Sequence, residues 1–156
     1  MPKWVKIAHG FASKWNFVHC TGTMDGKHVQ ILALENSSSM YYNYIVTFSI
    51  VLLAIAYAHC KVIYADVACQ DLFPDGGAFK HISFSKRIEH NNVHLLPAET
   101  LPGKPLAVPF VFVANDAFAL SVNIMKPYAG HSPGSSLLVR ISNYSLSRVC
   151  RAVENI

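Results

Sequence analysis

The sequence predicts an α/β domain, in which helices pack against a deeply buried mixed sheet. Residues 48–55, 62–67 and 110–114 are rich in β-branched and aromatic residues, which is typical of strands. Residues 1–17 and 143–156 space their apolar residues at helical intervals. Apolar residues make up 52% of the 156 residues and charged residues only 14%. We therefore expect a single domain over residues 1–156 and exclude a disordered chain.

The first elements along the chain are a helix and a strand. Residues 1–17 are predicted to form an amphipathic lead-in, because their apolar side chains recur near helical spacing. Residues 21–31 are predicted to form a strand that carries Asp25 and bends at Gly26. Residues 36–39 read Asn-Ser-Ser-Ser, and these turn-forming side chains predict a loop.

A hairpin and a helix follow. The strands predicted at residues 48–55 and 62–67 are joined by a turn at residues 59–61. Residues 74–77 are predicted to form either a turn or a helix start with Asp75 as the N-cap. Residues 77–89 are predicted to be helical.

The C-terminal half combines a loop, a central strand and a final helix. Residues 96–109 contain four prolines and are predicted to form a loop. Residues 110–114 are continuously apolar, as a central strand should be, and Asn115 and Asp116 follow at its carboxyl end. The helix at residues 143–156 is expected to turn four apolar side chains inward, namely Leu146, Val149, Cys150 and Val153.

Charge and cysteine content narrow the class of protein. The net charge of +4 permits nucleic-acid binding without requiring it. The four cysteines form no CxxC pair, which favours free thiols in a reducing compartment. The longest apolar run, residues 45–58, has 14 residues, whereas a membrane span needs about 20. We therefore expect no membrane span, and the N-terminus lacks the apolar core of a signal peptide.

Three acidic positions suggest a chemistry. Phosphodiester cleavage with two divalent ions needs carboxylates from several segments of the chain. Asp25 on a strand, an acid after residues 110–114, and Glu154 on the last helix would form such a cluster. The alternative is that Asp25 belongs to a turn and Glu154 is a solvated helix residue paired with Arg151.

The segment Asp25-Gly26-Lys27-His28 resembles the Asp-Gly-Lys-His segment of Harbinger-type transposases and their domesticated nuclease relatives. The resemblance runs over residues 15–155, nearly the whole chain. Further segments resemble the family in the same order along the chain, at residues 38–44, 48–54, 64–67, 75–79, 116–120, 125–128, 143–148 and 151–155.

The resemblance implies a DDE superfamily endonuclease domain with a ribonuclease H-like fold, which binds two divalent ions, Mg²⁺ or Mn²⁺, and cuts DNA in the nucleus. It places the first catalytic acid at Asp25 and the third at Glu154. The family has a metal-binding Asp in the middle position, where this chain has Asn115. Asp116 matches the variable residue that follows, and neighbouring strand residues point to opposite faces, so only a bulge would re-aim Asp116.

Other departures from the family pattern also predict impaired cleavage. The family has a basic residue where this chain has Ile45, a Gly-Arg pair where it has Asp71-Leu72, and an acid where it has Tyr57. Lost basic residues remove phosphate contacts, which supply affinity for DNA. The chain also stops two residues after Glu154, where relatives continue, and lacks their upstream DNA-binding helices. We therefore expect a truncated or degenerate copy of the family domain.

Several side chains beyond the acids are candidates for contacts to DNA. They are Lys27, His28, Arg148 and Arg151. The alternative is that Lys27 is a solvated lysine and that the two arginines belong to a solvated helix face. The competing hypothesis for the whole chain is a non-catalytic module that binds nucleic acid or protein, since relatives work with a Myb-like DNA-binding partner. A third reading is a decaying transposon copy.

Overall fold

The computed structural model describes residues 3–33, 41–42, 46–68, 83–90, 93–116, 118–129 and 136–156. Several predictions lie outside these residues: the loop at 36–39, the cap at Asp75, the first part of the helix at 77–89, and the departures at Ile45 and Asp71-Leu72. The described residues form three helices, α1 (Lys3–Trp15), α2 (Ser83–Glu89) and α3 (Leu137–Glu154). The described strands are β1 (Cys20–Gln30), β2 (Ser49–Tyr57), β3 (Lys61–Ala68), β4 (Glu99–Thr100), β5 (Ala107–Val108), β6 (Val111–Ala114) and β7 (Ile124–Met125).

Five of the strands form one mixed sheet, in the order β3-β2-β1-β6-β7. The β1–β2 and β2–β3 pairs are antiparallel, whereas β6 runs parallel to β1 and β7 runs parallel to β6. All four residues of β6 are buried, as their continuous apolar sequence predicts. The chain is therefore an α/β protein with a mixed sheet flanked by helices.

Apolar clusters cover both faces of this sheet. On one face, Met24, Leu53 and Phe112 pack with Phe84 of α2. On the other face, Val113 packs with residues of α1 and α3, including Phe11, Leu146 and Val149. Leu146, Val149, Cys150 and Val153 are all buried, so the predicted inward face of the last helix is confirmed.

The register of β1 against β6 shifts at Thr21. Cys20 pairs with Val111 and Gly22 with Phe112, so Thr21 is an extra residue opposite β6. The Thr21 hydroxyl donates to the Val111 carbonyl oxygen at 3.0 Å, while pairing with β2 continues unbroken through Gly26. A side chain at Gly22 would approach the Ile55 and Phe112 side chains to 3.0 Å, so the close strand packing here requires glycine.

Two segments differ from the sequence prediction. The proline-rich residues 96–109 contain the short antiparallel pair β4–β5. Helix α3 begins at Leu137, six residues before the predicted start, and Ser136 Oγ accepts a hydrogen bond from the Val139 N–H at 3.4 Å. The helical pattern was missed because the first turns of α3 expose their apolar residues instead of burying them.

Among the described residues, no helix has both the length and the apolar character that crossing a membrane requires.

Candidate functional site

The two neighbouring parallel strands β1 and β6 bring Asp25 and Asn115 together. Met24 pairs with Ala114, so the next residue of each strand lies at the same edge, on the face opposite Met24 and Ala114. Asn115 Nδ2 donates a hydrogen bond to Asp25 Oδ1 at 3.0 Å. The first two positions of the site predicted from the sequence are therefore in direct contact.

A second donor also contacts this carboxylate. The Gly26 N–H donates to Asp25 Oδ1 at 2.9 Å, so one carboxylate oxygen accepts from two N–H groups. The orientation of the Asn115 amide follows from the charge, because its carbonyl oxygen would be repelled by a carboxylate whereas its NH₂ group can donate. Hydrogen bonds to an ionised acceptor are stronger than those between neutral groups.

Helix α3 carries Glu154 and the buried Cys150 on the side of the sheet where Asp25 and Asn115 lie. Cys150 lies one turn before Glu154 on α3 and is buried. Burial, followed by the charges of Glu154 and Asp25, raises the pKa of the Cys150 thiol from 9.0 to about 12. Cys150 packs with Val113 in the cluster on the side of the sheet where Asp25 and Asn115 lie, and Glu154 follows Cys150 by one turn as the last residue of α3.

Burial raises the pKa of a second thiol, Cys20, which packs in the same cluster as Cys150. A raised pKa keeps a thiol protonated at neutral pH, and a protonated thiol is a poor nucleophile and metal ligand. Cys20, Cys60 and Cys150 are free, in agreement with the prediction for these three cysteines; Cys69 lies outside the described residues. Sequence reasoning assigned Cys150 to the core but missed its place beside the acids, although its position one turn before Glu154 was a signal.

Asp116 is oriented differently from Asn115. Its side chain is 68% exposed, and its Oδ1 lies 3.3 Å from Lys126 Nζ. Lys126 Nζ also donates to the Asp116 carbonyl oxygen at 3.0 Å. The register break in β1 that faces β6 is at Thr21, far along the strand from this position. The structure therefore pairs Asp116 with Lys126 and puts Asn115 on Asp25.

The remaining candidates are spread over several surfaces. Lys27 is exposed and follows Asp25 by two residues, on the same face of β1. His28 lies on the opposite face, where its Nδ1 is 3.1 Å from the buried Ser49 Oγ. On α3, the Arg148 guanidinium stands 5.8 Å from the centre of the Tyr144 ring and Arg151 is exposed. Although both side chains are among those described, Arg151 and Glu154 form no ion pair with each other.

A pair of hard dications requires several oxygen ligands that converge on one point. Mg²⁺ and Mn²⁺ prefer carboxylate, carbonyl and water oxygens. In the described part of the chain, no three His, Cys, Asp or Glu side chains converge in a way that could hold a metal ion. Asn115 presents N–H to Asp25 rather than an oxygen to a shared ion. As arranged here, these residues do not fit a two-metal centre.

Comparison with known proteins found no matching family model, no matching curated protein and no matching solved structure.

Proposed function

We propose that this chain is a domain of transposase descent, related to divalent-metal-dependent DNA endonucleases, in which Asn115 impairs cleavage. The observation that carries the proposal is the hydrogen bond from Asn115 Nδ2 to Asp25 Oδ1. In the family pattern that the sequence resembles, two carboxylates at these positions would share a metal ion. Here an N–H group takes the place of that shared cation.

Three features support the proposed descent. The ordered segments of the sequence resemble Harbinger-type transposases throughout the chain. The mixed five-stranded sheet flanked by helices is compatible with a ribonuclease H-like fold. Of the positions expected to carry the acids, 25 and 115 are in direct contact, and 154 belongs to the helix that packs on the same face of the sheet. The same proposal includes DNA as the substrate of the ancestral domain, Mg²⁺ or Mn²⁺ as the cofactor of the ancestral site, and the nucleus as the location.

The change from Asp to Asn removes charge as well as a ligand. Two dications need several negative ligands, because desolvated positive charges in close contact repel strongly. Asn115 brings no charge, and its amide satisfies Asp25 without any ion. The chain therefore holds the Asp25 carboxylate in place with N–H donors, and we derive no metal-dependent step for it as it stands.

The test is plasmid cleavage together with direct Mn²⁺ binding, measured by calorimetry in the same buffer. The native chain is compared with Asn115→Asp, with Asn115→Asp combined with Asp25→Asn, and with Asp116→Asn as the matched surface control. We expect Asn115→Asp to gain Mn²⁺ binding and cleavage, and the double variant to lose both. We expect the native chain and Asp116→Asn to show neither.

Cleavage by the native chain that is abolished by Asp25→Asn would overturn the proposed impairment. If that cleavage also disappeared in Asp116→Asn, Asp116 would be the middle ligand despite its pairing with Lys126. If Asn115→Asp bound no Mn²⁺, the proposal that Asn115 accounts for the impaired cleavage would be wrong, and a non-catalytic module or a decaying copy would be the better account.

A second candidate function is a non-catalytic module that binds nucleic acid or a partner protein, such as the Myb-like partner that the resemblance implies. The observation that favours it is the set of exposed apolar residues on α3, among them Leu138 and Ile141, which have no role in cleavage. Binding of duplex DNA in the presence of EDTA, weakened by Lys27→Ala, would separate a nucleic-acid module from a protein-binding one.

A further inference from the structure

The first half of α3 exposes an apolar stripe. Leu137, Leu138, Ile141 and Tyr144 recur at helical spacing and form what we term the α3 surface. Leu138 is 78% exposed and Ile141 52%. Four large apolar side chains in one continuous stripe are unusual on a free surface and mark interaction sites.

The same side of α3 is covered at the other end of the helix. Ala152 follows Ile141 by three helical turns, so it lies on the same side, yet it is fully buried. Ser145 and Arg148 lie between Ile141 and Ala152 on this side of the helix. The apolar cluster formed with the sheet and α1 includes Ala152 but none of the four residues of the α3 surface. The exposed part has the character of a surface that another element covers.

A cavity of about 520 Å³ adjoins the α3 surface. Ser145 lines it from α3, one turn after Ile141, and Val111 and Ile124 line it from the sheet. The remaining wall is mostly apolar, including the exposed Leu120 and Val122. Its volume falls within the range of about 300–1,000 Å³ that is usual for ligand pockets, enough for one or two large apolar side chains.

The α3 surface and the strand beside the cavity are fixed to each other. Asn143 Oδ1 accepts from the Tyr128 N–H at 2.9 Å, and Asn143 Nδ2 donates to the Tyr128 carbonyl oxygen at 3.1 Å. This paired contact ties the segment after β7 to α3. Surfaces that are formed before binding lose less entropy when a partner docks.

Charge identifies the partner. Residues 136–153 contain three arginines and no acid, and Arg148 lies over the Tyr144 ring within the stripe. A two-fold contact between two copies of α3 would bring Arg140 and Arg148 of each copy against a surface of the same sign. Like charges facing each other oppose such a contact, so the complementary partner is acidic.

We propose that the α3 surface and the adjoining cavity bind an amphipathic helix of another protein, whose apolar stripe is flanked by acidic residues. One apolar side chain of that helix enters the cavity, and its acids face Arg140 and Arg148. Helices recognised in this way present apolar anchors at positions i, i+3, i+4 and i+7. The proposal uses residues apart from Asp25 and Asn115, and it holds whether or not the chain cuts DNA.

The test uses a fluorescein-labelled synthetic helix of about 18 residues, long enough to fold in part by itself. Leu occupies positions i, i+3, i+4 and i+7, and Glu occupies the flanking positions. Its twin carries Lys in place of every Glu. Fluorescence anisotropy is recorded against the native chain, Ile141→Ser, Arg148→Glu, and Leu32→Ser, an exposed leucine outside this surface.

We expect the native chain and Leu32→Ser to bind the Glu helix and not its Lys twin. Ile141→Ser, which leaves every charge in place, should weaken binding about tenfold, as loss of an interface anchor does. Arg148→Glu should weaken binding of the Glu helix and improve binding of the twin.

Three results would overturn the proposal: no binding of the Glu helix, equal binding of both helices, or binding that Ile141→Ser leaves unchanged. Sedimentation of the native chain provides a further check. Self-association that Ile141→Ser abolishes would assign the surface to a second copy instead. Binding to phosphatidylserine vesicles in place of the Glu helix would assign it to a lipid surface.

Discussion

The two faces of the central sheet are built for different purposes. On the α2 face, Met24 and Phe112 belong to a cluster that is entirely apolar. On the α3 face, the apolar cluster is accompanied by the hydrogen-bonded pair Asp25 and Asn115. Strand alternation makes the division, because residues next to each other in sequence point to opposite faces. Both faces have a buried apolar cluster, and the α2 face also has a polar contact between His28 and Ser49. The α3 face differs in the direct contact between Asp25 and Asn115, at the end of the parallel β1–β6 pairing.

The largest expected effect comes from the apolar face. Phe112 is fully buried, with ring centres 5.8 Å from Trp4 and 5.4 Å from Phe84. Phe112→Ala should lower the free energy of unfolding by about 3–5 kcal/mol, because it removes a large side chain and leaves a cavity. Urea denaturation measures the change, with the exposed Tyr144→Ala as the control. A loss no larger than that of the control would show that the α2 face contributes little to stability.

Asn115→Asp tests the polar face by adding one charge. The substitution replaces the hydrogen bond to Asp25 with two facing carboxylates, so we expect a loss of about 1–3 kcal/mol at pH 7 without metal. Repulsion raises the pKa of the carboxyl pair in the folded state above its unfolded value, so the loss should be small at low pH and grow as the pH rises.

Thermal denaturation of Asn115→Asp across pH, with and without Mn²⁺, measures this effect, and Mn²⁺ should restore the lost stability. Asn115→Ala is the matched control, since it removes the same hydrogen bond and adds no charge. Equal behaviour of the two variants at pH 7 would mean that residue 115 does not face the Asp25 carboxylate.

The Cys150 thiol tests whether burial in the cluster on the α3 face, together with nearby carboxylates, perturbs an ionisable group. Its pKa is about 12 in the folded chain against 9.0 as the ordinary value. The unfolded thiol therefore ionises first as the pH rises, and the folded chain loses stability between pH 9 and 12, by about 1.4 kcal/mol per pH unit. Below pH 9 this contribution is fully present.

The difference in unfolding free energy between the native chain and Cys150→Ala isolates this contribution from other alkaline titrations. The difference should be constant below pH 9 and change steadily above it. A difference independent of pH would show that the Cys150 thiol has the same pKa in the folded and unfolded states, and that neither burial nor nearby carboxylates raise it.

Much of the fold could be predicted because its strands are buried. Residues 110–114 are apolar on both sides, since β6 lies between β1 and β7 with helices over both faces, and such a strand has a plain sequence signature. The start of α3 could not be predicted, because Leu137 and Leu138 are exposed and break the inward pattern. The register shift at Thr21 depends on the pairing of β1 with β6, and the local sequence of neither strand predicts that pairing.

The site was predictable only in part, for a related reason. The resemblance marked positions 25, 115 and 154, and strand alternation separated Asn115 from Asp116. The contact between Asn115 and Asp25 depends on the register of β1 against β6, over a separation of 90 residues. The packing of Cys150 in one cluster with Cys20 of β1 and Val113 of β6 depends on how α3 lies on the sheet, which the periodicity of the helix does not specify.

The smallest expected effect is that of a substitution at Asp116, the neighbour of Asn115. Asp116 is exposed and pairs with Lys126, and surface ion pairs contribute about 0–1 kcal/mol. Asp116→Asn should therefore change the unfolding free energy little, and in the Asn115→Asp background it should leave Mn²⁺ binding unchanged. Because an exposed pair is screened by salt, the small effect should vanish at high ionic strength. If Asp116→Asn instead abolished Mn²⁺ binding in that background, residue 116 would turn towards Asp25 when metal binds, and alternation along β6 would not separate the two positions.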